Sequence, residues 1–214
     1  VLNQKQFYKS KVSYKPKVRC VNPATALIPT VGNKLKKSRM HQNLEQIFEL
    51  ESAEKYNEAY SEYRNLISEN NADFETWKYY FFFLWSMLED VNGIFKKDID
   101  LRTELESELK NGLKKYSELA EFNFIAGYAI SIFPYEFGDY EELEIKGKEM
   151  LKKAFELEQS NPIYKMVYLG SKSLNEKEQS LYKNACAESK LILKTKHNGK
   201  GLLNEYYKQV FNRE

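Results

Sequence analysis

Asp73-Phe74-Glu75-Thr76-Trp77-Lys78-Tyr79-Tyr80-Phe81-Phe82-Phe83-Leu84-Trp85-Ser86-Met87-Leu88-Glu89 decides how this chain is read. The stretch holds both tryptophans, and seven of the nine positions from Trp77 to Trp85 are aromatic. A helix with aromatic side chains on every side cannot leave them all in water. The segment is therefore expected to be a central helix with others packed around it. Asp73 offers an N-cap oxygen ahead of it, and Asn92-Gly93 offers a stop behind it.

Helical spacing continues outward in both directions. Upstream, a first helix begins near Ser38 and carries Leu44, Ile47 and Phe48. A second runs through Ala59, Tyr63, Leu66 and Ile67, and stops at Ser68-Glu69-Asn70-Asn71. Downstream, Asp98 or Asp100 caps a helix whose Leu101, Leu105, Leu109 and Leu113 form a narrow apolar stripe. The nearly apolar segment from Ser117 to Phe133 reads as a second central helix, with Gly127 marking a close helix crossing.

Phe133 to Tyr140 reads as a loop or irregular extension, followed by an amphipathic helix from Glu141 to Leu157. Asn161-Pro162 starts a helix to Ser171, since proline is tolerated in a first turn. Asn175 caps another helix through Ile192. His197 to Gly201 reads as a flexible turn, and Leu202 to Phe211 as a short final helix capping the open end of the stack.

The totals agree with long helices: 214 residues contain only nine Gly and five Pro. Lys78 interrupts the aromatic run, so no apolar stretch reaches the ~18 residues of a membrane span. Residues 1–40 carry ten Lys or Arg and no acid, a charge of +10, whereas the remainder carries 23 basic and 31 acidic residues, a charge of −8. The expected organisation is a basic N-terminal arm over 1–39 and a helical domain over 40–214. Within the arm, Lys34, Lys36, Lys37 and Arg39 are the candidates for touching nucleic-acid phosphates, against the plainer reading of a solvated charge run. The arm lacks a continuous apolar segment and is not read as an ordinary signal peptide. Cys20 and Cys186 make no disulfide framework, and reduced thiols with a cytoplasmic location are expected.

Tyr56, Ala59 and Tyr63, followed by Asn70-Asn71 and Trp77, resemble the junction between two tetratricopeptide repeats. Gly127 and Gly170 resemble the small residue of that family's first helix, and Ser160-Asn161-Pro162 resembles its inter-repeat turn. The chain departs from the pattern at Phe81, where a small residue is usual, and at 133–138, which reads as an insertion. The resemblance covers roughly residues 40–193. It implies an all-α fold of antiparallel helix pairs stacked as a short TPR-like right-handed α-solenoid. Families of this kind are usually scaffolds for peptides or proteins. Small divergent helical-repeat proteins also include immunity proteins of bacterial toxin systems.

Chemistry is sparse by comparison. His41 and His197 lie far apart, the two cysteines add no metal-ligand spacing, and no P-loop, dinucleotide fingerprint or nucleophile elbow occurs. No catalytic residue, metal or cofactor is expected. The acid clusters Glu104-Glu106-Glu108 and Glu141-Glu142-Glu144 read as solvated helix surface. Aromatic side chains make strong binding anchors. The protein-binding candidates are therefore Trp77, Tyr80, Phe81, Trp85, Tyr135, Phe137 and Tyr140, most of them packing the core and one or two lining a groove. The leading expectation is a protein-binding scaffold or inhibitor, in one version an immunity protein whose acidic faces meet a basic toxin. A nucleic-acid-associated protein acting through the basic arm comes second, and an enzyme with an acid-lined site third.

Overall fold

The computed structural model describes residues 43–68, 73–90, 95, 99–138 and 140–213, and every regular element among them is helical. Helix α1 covers residues 43–52. It is followed by α2 (Tyr56–Ser68), α3 (Phe74–Asp90), α4 (Leu101–Tyr116) and α5 (Ala120–Ile132). A 3-10 turn (Pro134–Glu136) leads to α6 (Tyr140–Leu157), α7 (Pro162–Leu169), α8 (Glu176–Lys196) and α9 (Leu202–Val210). The basic arm, the Ser38 cap and the turns at Asn70-Asn71 and Asn92-Gly93 lie outside the described residues. No helix among the described residues is long and apolar enough to cross a membrane.

Short polar side chains set the helix starts by satisfying first-turn N–H groups. Asp73 Oδ1 accepts from the Thr76 N–H at 3.1 Å, and Asp100 accepts from both the N–H and the hydroxyl of Thr103. Asn161 caps α7 with Pro162 at its first position, and Asn175 and Glu178 close a reciprocal capping box on α8.

The core forms around α3 and α5. Phe81, Phe83 and Leu84 have no exposed surface, and each side of α3 meets a different neighbour. Trp77 stacks on Phe81 at 4.9 Å, meets Phe122 of α5 at 5.0 Å, and donates its indole N–H to the Glu108 carbonyl of α4. Phe83 meets Tyr63 of α2 at 5.3 Å, while Phe82 and Trp85 meet Tyr206 of α9 at 5.2 and 5.5 Å. The expected crossing at Gly127 is the α5–α6 contact. A Cβ added there would sit 2.8 Å from Met150 Cβ and 3.0 Å from the Gly147 carbonyl oxygen, so the two backbones approach too closely for a larger residue.

Two expectations are corrected. The final helix does not cap a far end but returns over the middle of the protein. Tyr206 packs on α3, Tyr207 and Phe211 pack on Phe124 of α5, and the Leu202 N–H reaches Glu51 of α1. In a simple solenoid each repeat touches only its neighbours; here the last helix joins α1, α3 and α5.

The acids of α4 are not all solvent-facing either. Glu104 and Glu108 share a face four residues apart. Glu108 is buried, and Glu104 accepts from the Tyr60 hydroxyl at 2.6 Å, from the Tyr80 hydroxyl and from Arg64. Burial would raise the Glu104 pKa, but these three donors outweigh it and hold the carboxyl below its ordinary range.

Candidate functional site

The return of α9 leaves a cleft of about 280 Å³ between its buried face, the start of α3, the start of α7 and the end of α8. Each element delivers polar groups for a local reason. Lys78 sits in the first turns of α3 because the aromatic run occupies the other directions around that helix. Tyr164 enters from the first turn of α7, whose direction Asn161 and Pro162 set. His197 follows the last residue of α8, and Tyr207 projects from α9.

Lys78 forms one side of the cleft and is buried. Its ammonium pairs with Glu121 at 2.9 Å and Glu75 at 3.0 Å, and lies 5.1 Å from the centre of the Tyr79 ring. Burial disfavours this charge, but the fields of Glu121, Tyr79 and Glu75 outweigh it and keep Lys78 protonated above its ordinary range.

On another side, Glu158 accepts only the Asn161 side-chain amide, at 3.4 Å, and no cation pairs with it among the described residues. Burial, with the nearby charges of Glu121 and Glu158, pushes the Tyr164 hydroxyl pKa upward. Tyr164 therefore stays protonated.

Tyr207 is the least exposed polar residue lining the cleft. It is buried, and its hydroxyl has no hydrogen-bond partner. Beside it, His197 packs on the Tyr207 ring at 4.4 Å between centroids, and its Nδ1 lies 3.3 Å from Asn204 Oδ1. Asn204 donates its amide N–H to the Lys200 carbonyl, which fixes the amide so that Oδ1 faces the imidazole. Nδ1 then carries the proton. Burial, reinforced by Lys78 and Lys196, lowers the His197 pKa from 6.5 to about 4, so the ring is neutral near pH 7. The segment expected as a flexible turn is thus tied to α9.

The aromatic candidates proposed from sequence fall elsewhere. Trp77, Tyr80, Phe81, Trp85 and Phe137 are all buried, and none of them lines the cleft. Tyr135 is 42% exposed and stands on the 3-10 turn, where Arg102 bonds to its carbonyl and pairs with Glu136. The side chain of Tyr140, and Lys34, Lys36, Lys37 and Arg39, lie outside the described residues. The cleft residues Glu121, Glu158, Tyr164 and Tyr207 carry no sequence motif, because helices distant in the chain bring them together. Lys78 was the one visible signal, a lone charge inside an aromatic run. Among the described residues, no group of three or more His, Cys, Asp or Glu is placed to hold a metal ion.

No known protein family, curated protein or solved structure matches the chain.

Proposed function

We propose that the protein is a binding scaffold or inhibitor that recognises a protein partner by drawing one of its basic side chains into the cleft. The observation that carries this reading is the pairing of an unpartnered buried hydroxyl, on Tyr207, with a carboxylate lacking a cation, on Glu158. An unsatisfied buried polar group costs about 1–3 kcal/mol, and a ligand group that satisfies it recovers that cost. A guanidinium supplies donors for both the Glu158 carboxylate and the Tyr207 oxygen, and its plane stacks on a tyrosine ring. Lys78 is the internal precedent, a cation held by two carboxylates and an aromatic face.

Size and charge point the same way. At about 280 Å³ the cleft lies just below the ~300 Å³ where drug-sized ligand pockets begin, which suits a single side chain. Residues 41–169 hold 26 Asp or Glu against 14 Lys or Arg, a net charge of −12. Such a surface steers a basic partner and speeds encounter at low salt. Inhibition of a basic toxin, as by an immunity protein, is the specific form of this reading.

The test is a titration of isotope-labelled protein with N-acetyl-arginine amide and, in parallel, N-acetyl-glutamate amide. Saturable shifts at His197 and Asn204 with the arginine compound, lost in Glu158→Gln, are expected. Equal binding of the glutamate compound, or binding indifferent to Glu158→Gln, would overturn the proposal.

A further inference from the structure

A second concavity, of about 420 Å³, lies between the C-terminal half of α8 and α9, and it has the opposite character. Lys190, Lys194, Lys208, Asn198 and Asn212 surround it, with Leu193 as the one apolar wall. Five of these six side chains carry N–H donors and none is acidic.

Lysines four apart on one helix face repel each other unless an acid intervenes. Three lysines elsewhere have one: Lys110 pairs with Glu106, Lys148 with Glu144 and Lys152 with Glu156, each four residues away. Lys190 and Lys194, which face one concavity, do not. The positions three and four residues from either are Cys186, Ala187, Leu191, Leu193, His197 and Asn198, besides the two lysines themselves, and none is an acid. Among the described residues neither lysine has an ion pair. Lys208 is held at the rim by Glu205 at 2.6 Å and the Gly199 carbonyl at 3.2 Å, so the acid there fixes Lys208 and offsets its charge. Two uncompensated positive charges remain. The local balance agrees: residues 170–214 hold nine Lys or Arg against five Glu, a net charge of +4, on a chain whose preceding 129 residues, 41–169, carry −12.

We propose that this concavity is a binding site for the phosphate group of a small phosphorylated molecule. A phosphate monoester carries close to −2 near neutral pH and three acceptor oxygens. The ammonium groups of Lys190 and Lys194 balance the charge, and the side-chain amides of Asn198 and Asn212 supply further donors. A volume of about 420 Å³ exceeds what a free phosphate fills and falls in the range of pockets for small organic ligands, so the group attached to the phosphate lies along Leu193. The site uses none of the cleft residues that the protein-binding reading depends on.

The test compares three probes on labelled full-length protein: inorganic phosphate, adenosine monophosphate and a 12-nucleotide single strand. Adenosine monophosphate is expected to give saturable shifts in the Asn198 and Asn212 side-chain amides and to bind more tightly than inorganic phosphate. Its affinity should fall at least tenfold in Lys190→Gln/Lys194→Gln and stay unchanged in Lys183→Gln, which lies on the same helix face outside the concavity. Circular dichroism and thermal unfolding check that the variants fold. Adenosine monophosphate binding that survives the double substitution, shifts that never saturate, or preference for the oligonucleotide with equal dependence on Lys183 would each overturn the proposal. The last outcome would mark a diffuse polyanion track instead of a pocket.

Discussion

The carboxylate of Glu51 in α1 accepts the backbone N–H of Leu202 at the start of α9, 2.9 Å away across 151 positions of chain. Its other oxygen accepts the Tyr63 hydroxyl at 2.8 Å. One buried acid therefore ties the first described helix to the last and to α2. Burial raises its pKa from 4.5 to about 7, against the lowering effect of the two hydrogen bonds.

That shift gives a pH dependence with a definite sign. The folded protein keeps the Glu51 proton where the unfolded chain has lost it, so this stabilising contribution is complete below pH 4.5 and disappears as pH rises through 7. At about 1.4 kcal/mol per pKa unit, roughly 3 kcal/mol is withdrawn across that window. His197 acts oppositely: its contribution is present above pH 6.5 and lost as pH falls through about 4. The two partly cancel in the natural protein. In Glu51→Gln the amide can accept from Leu202 and donate to the Tyr63 oxygen, so the fold should survive without the Glu51 titration. Urea unfolding from pH 4 to 8 should show wild-type stability falling relative to Glu51→Gln by roughly 3 kcal/mol. Parallel curves would rule out the shifted acid.

The same junction limits position 201. Gly201 adopts φ +94, and a Cβ there would lie 2.7 Å from Phe48 Cδ1 and 3.0 Å from Glu51 Oε2. Gly201→Ala combines left-handed strain with a clash against a buried ring, and is expected to cost about 2 kcal/mol or more. Thermal unfolding will show this as a drop of several degrees. An unchanged midpoint would mean that α9 is not fixed to α1.

The α5–α6 crossing was legible from one residue, because a glycine inside an apolar helix has few other uses. Gly147 reads as a packing position of its charged amphipathic helix, but nothing in the sequence names the helix it meets. Yet a Cβ there would meet Ser131 Oγ at 2.5 Å and Ser131 N at 3.0 Å. Helices α3 and α5 were readable as the core for a similar reason, as their side chains are apolar in every direction. Which aromatics stay buried was not readable, because it depends on α9 returning over Phe82 and Trp85. The cleft was invisible for the same cause: Glu158 and Tyr207 become neighbours of one space only through that return. Gly147→Val is expected to cost more than 2 kcal/mol in chemical denaturation, because backbone atoms cannot step aside as a flexible side chain does.

Glu104 gathers three donors from two helices, so its loss should exceed the loss of any one donor. Tyr60→Phe is expected to cost about 1 kcal/mol, and Tyr80→Phe, which removes a half-buried bond from a buried ring to a charged acceptor, about 1.5–3 kcal/mol. Glu104→Ala leaves both hydroxyls without their acceptor, while the exposed Arg64 turns to water, and should cost about 3 kcal/mol. A double-mutant cycle between Tyr80→Phe and Glu104→Ala should be strongly non-additive. Additive costs would show that Glu104 is solvated surface after all.

Tyr207 should invert that pattern. Its hydroxyl is buried and unpartnered, so Tyr207→Phe removes an unsatisfied group while keeping the ring that packs on His197, Phe124 and Phe211. Stability should stay unchanged or rise by up to about 1 kcal/mol. Binding of the arginine compound should weaken by tenfold or more, since the unpartnered hydroxyl is a group the proposal has it satisfy. A residue that serves only the fold cannot produce that split. If Tyr207→Phe destabilises the protein and leaves binding intact, the hydroxyl belongs to the fold's internal bonding and the cleft does not depend on it. Thermal unfolding and titration of one variant therefore separate a binding site from a packing defect.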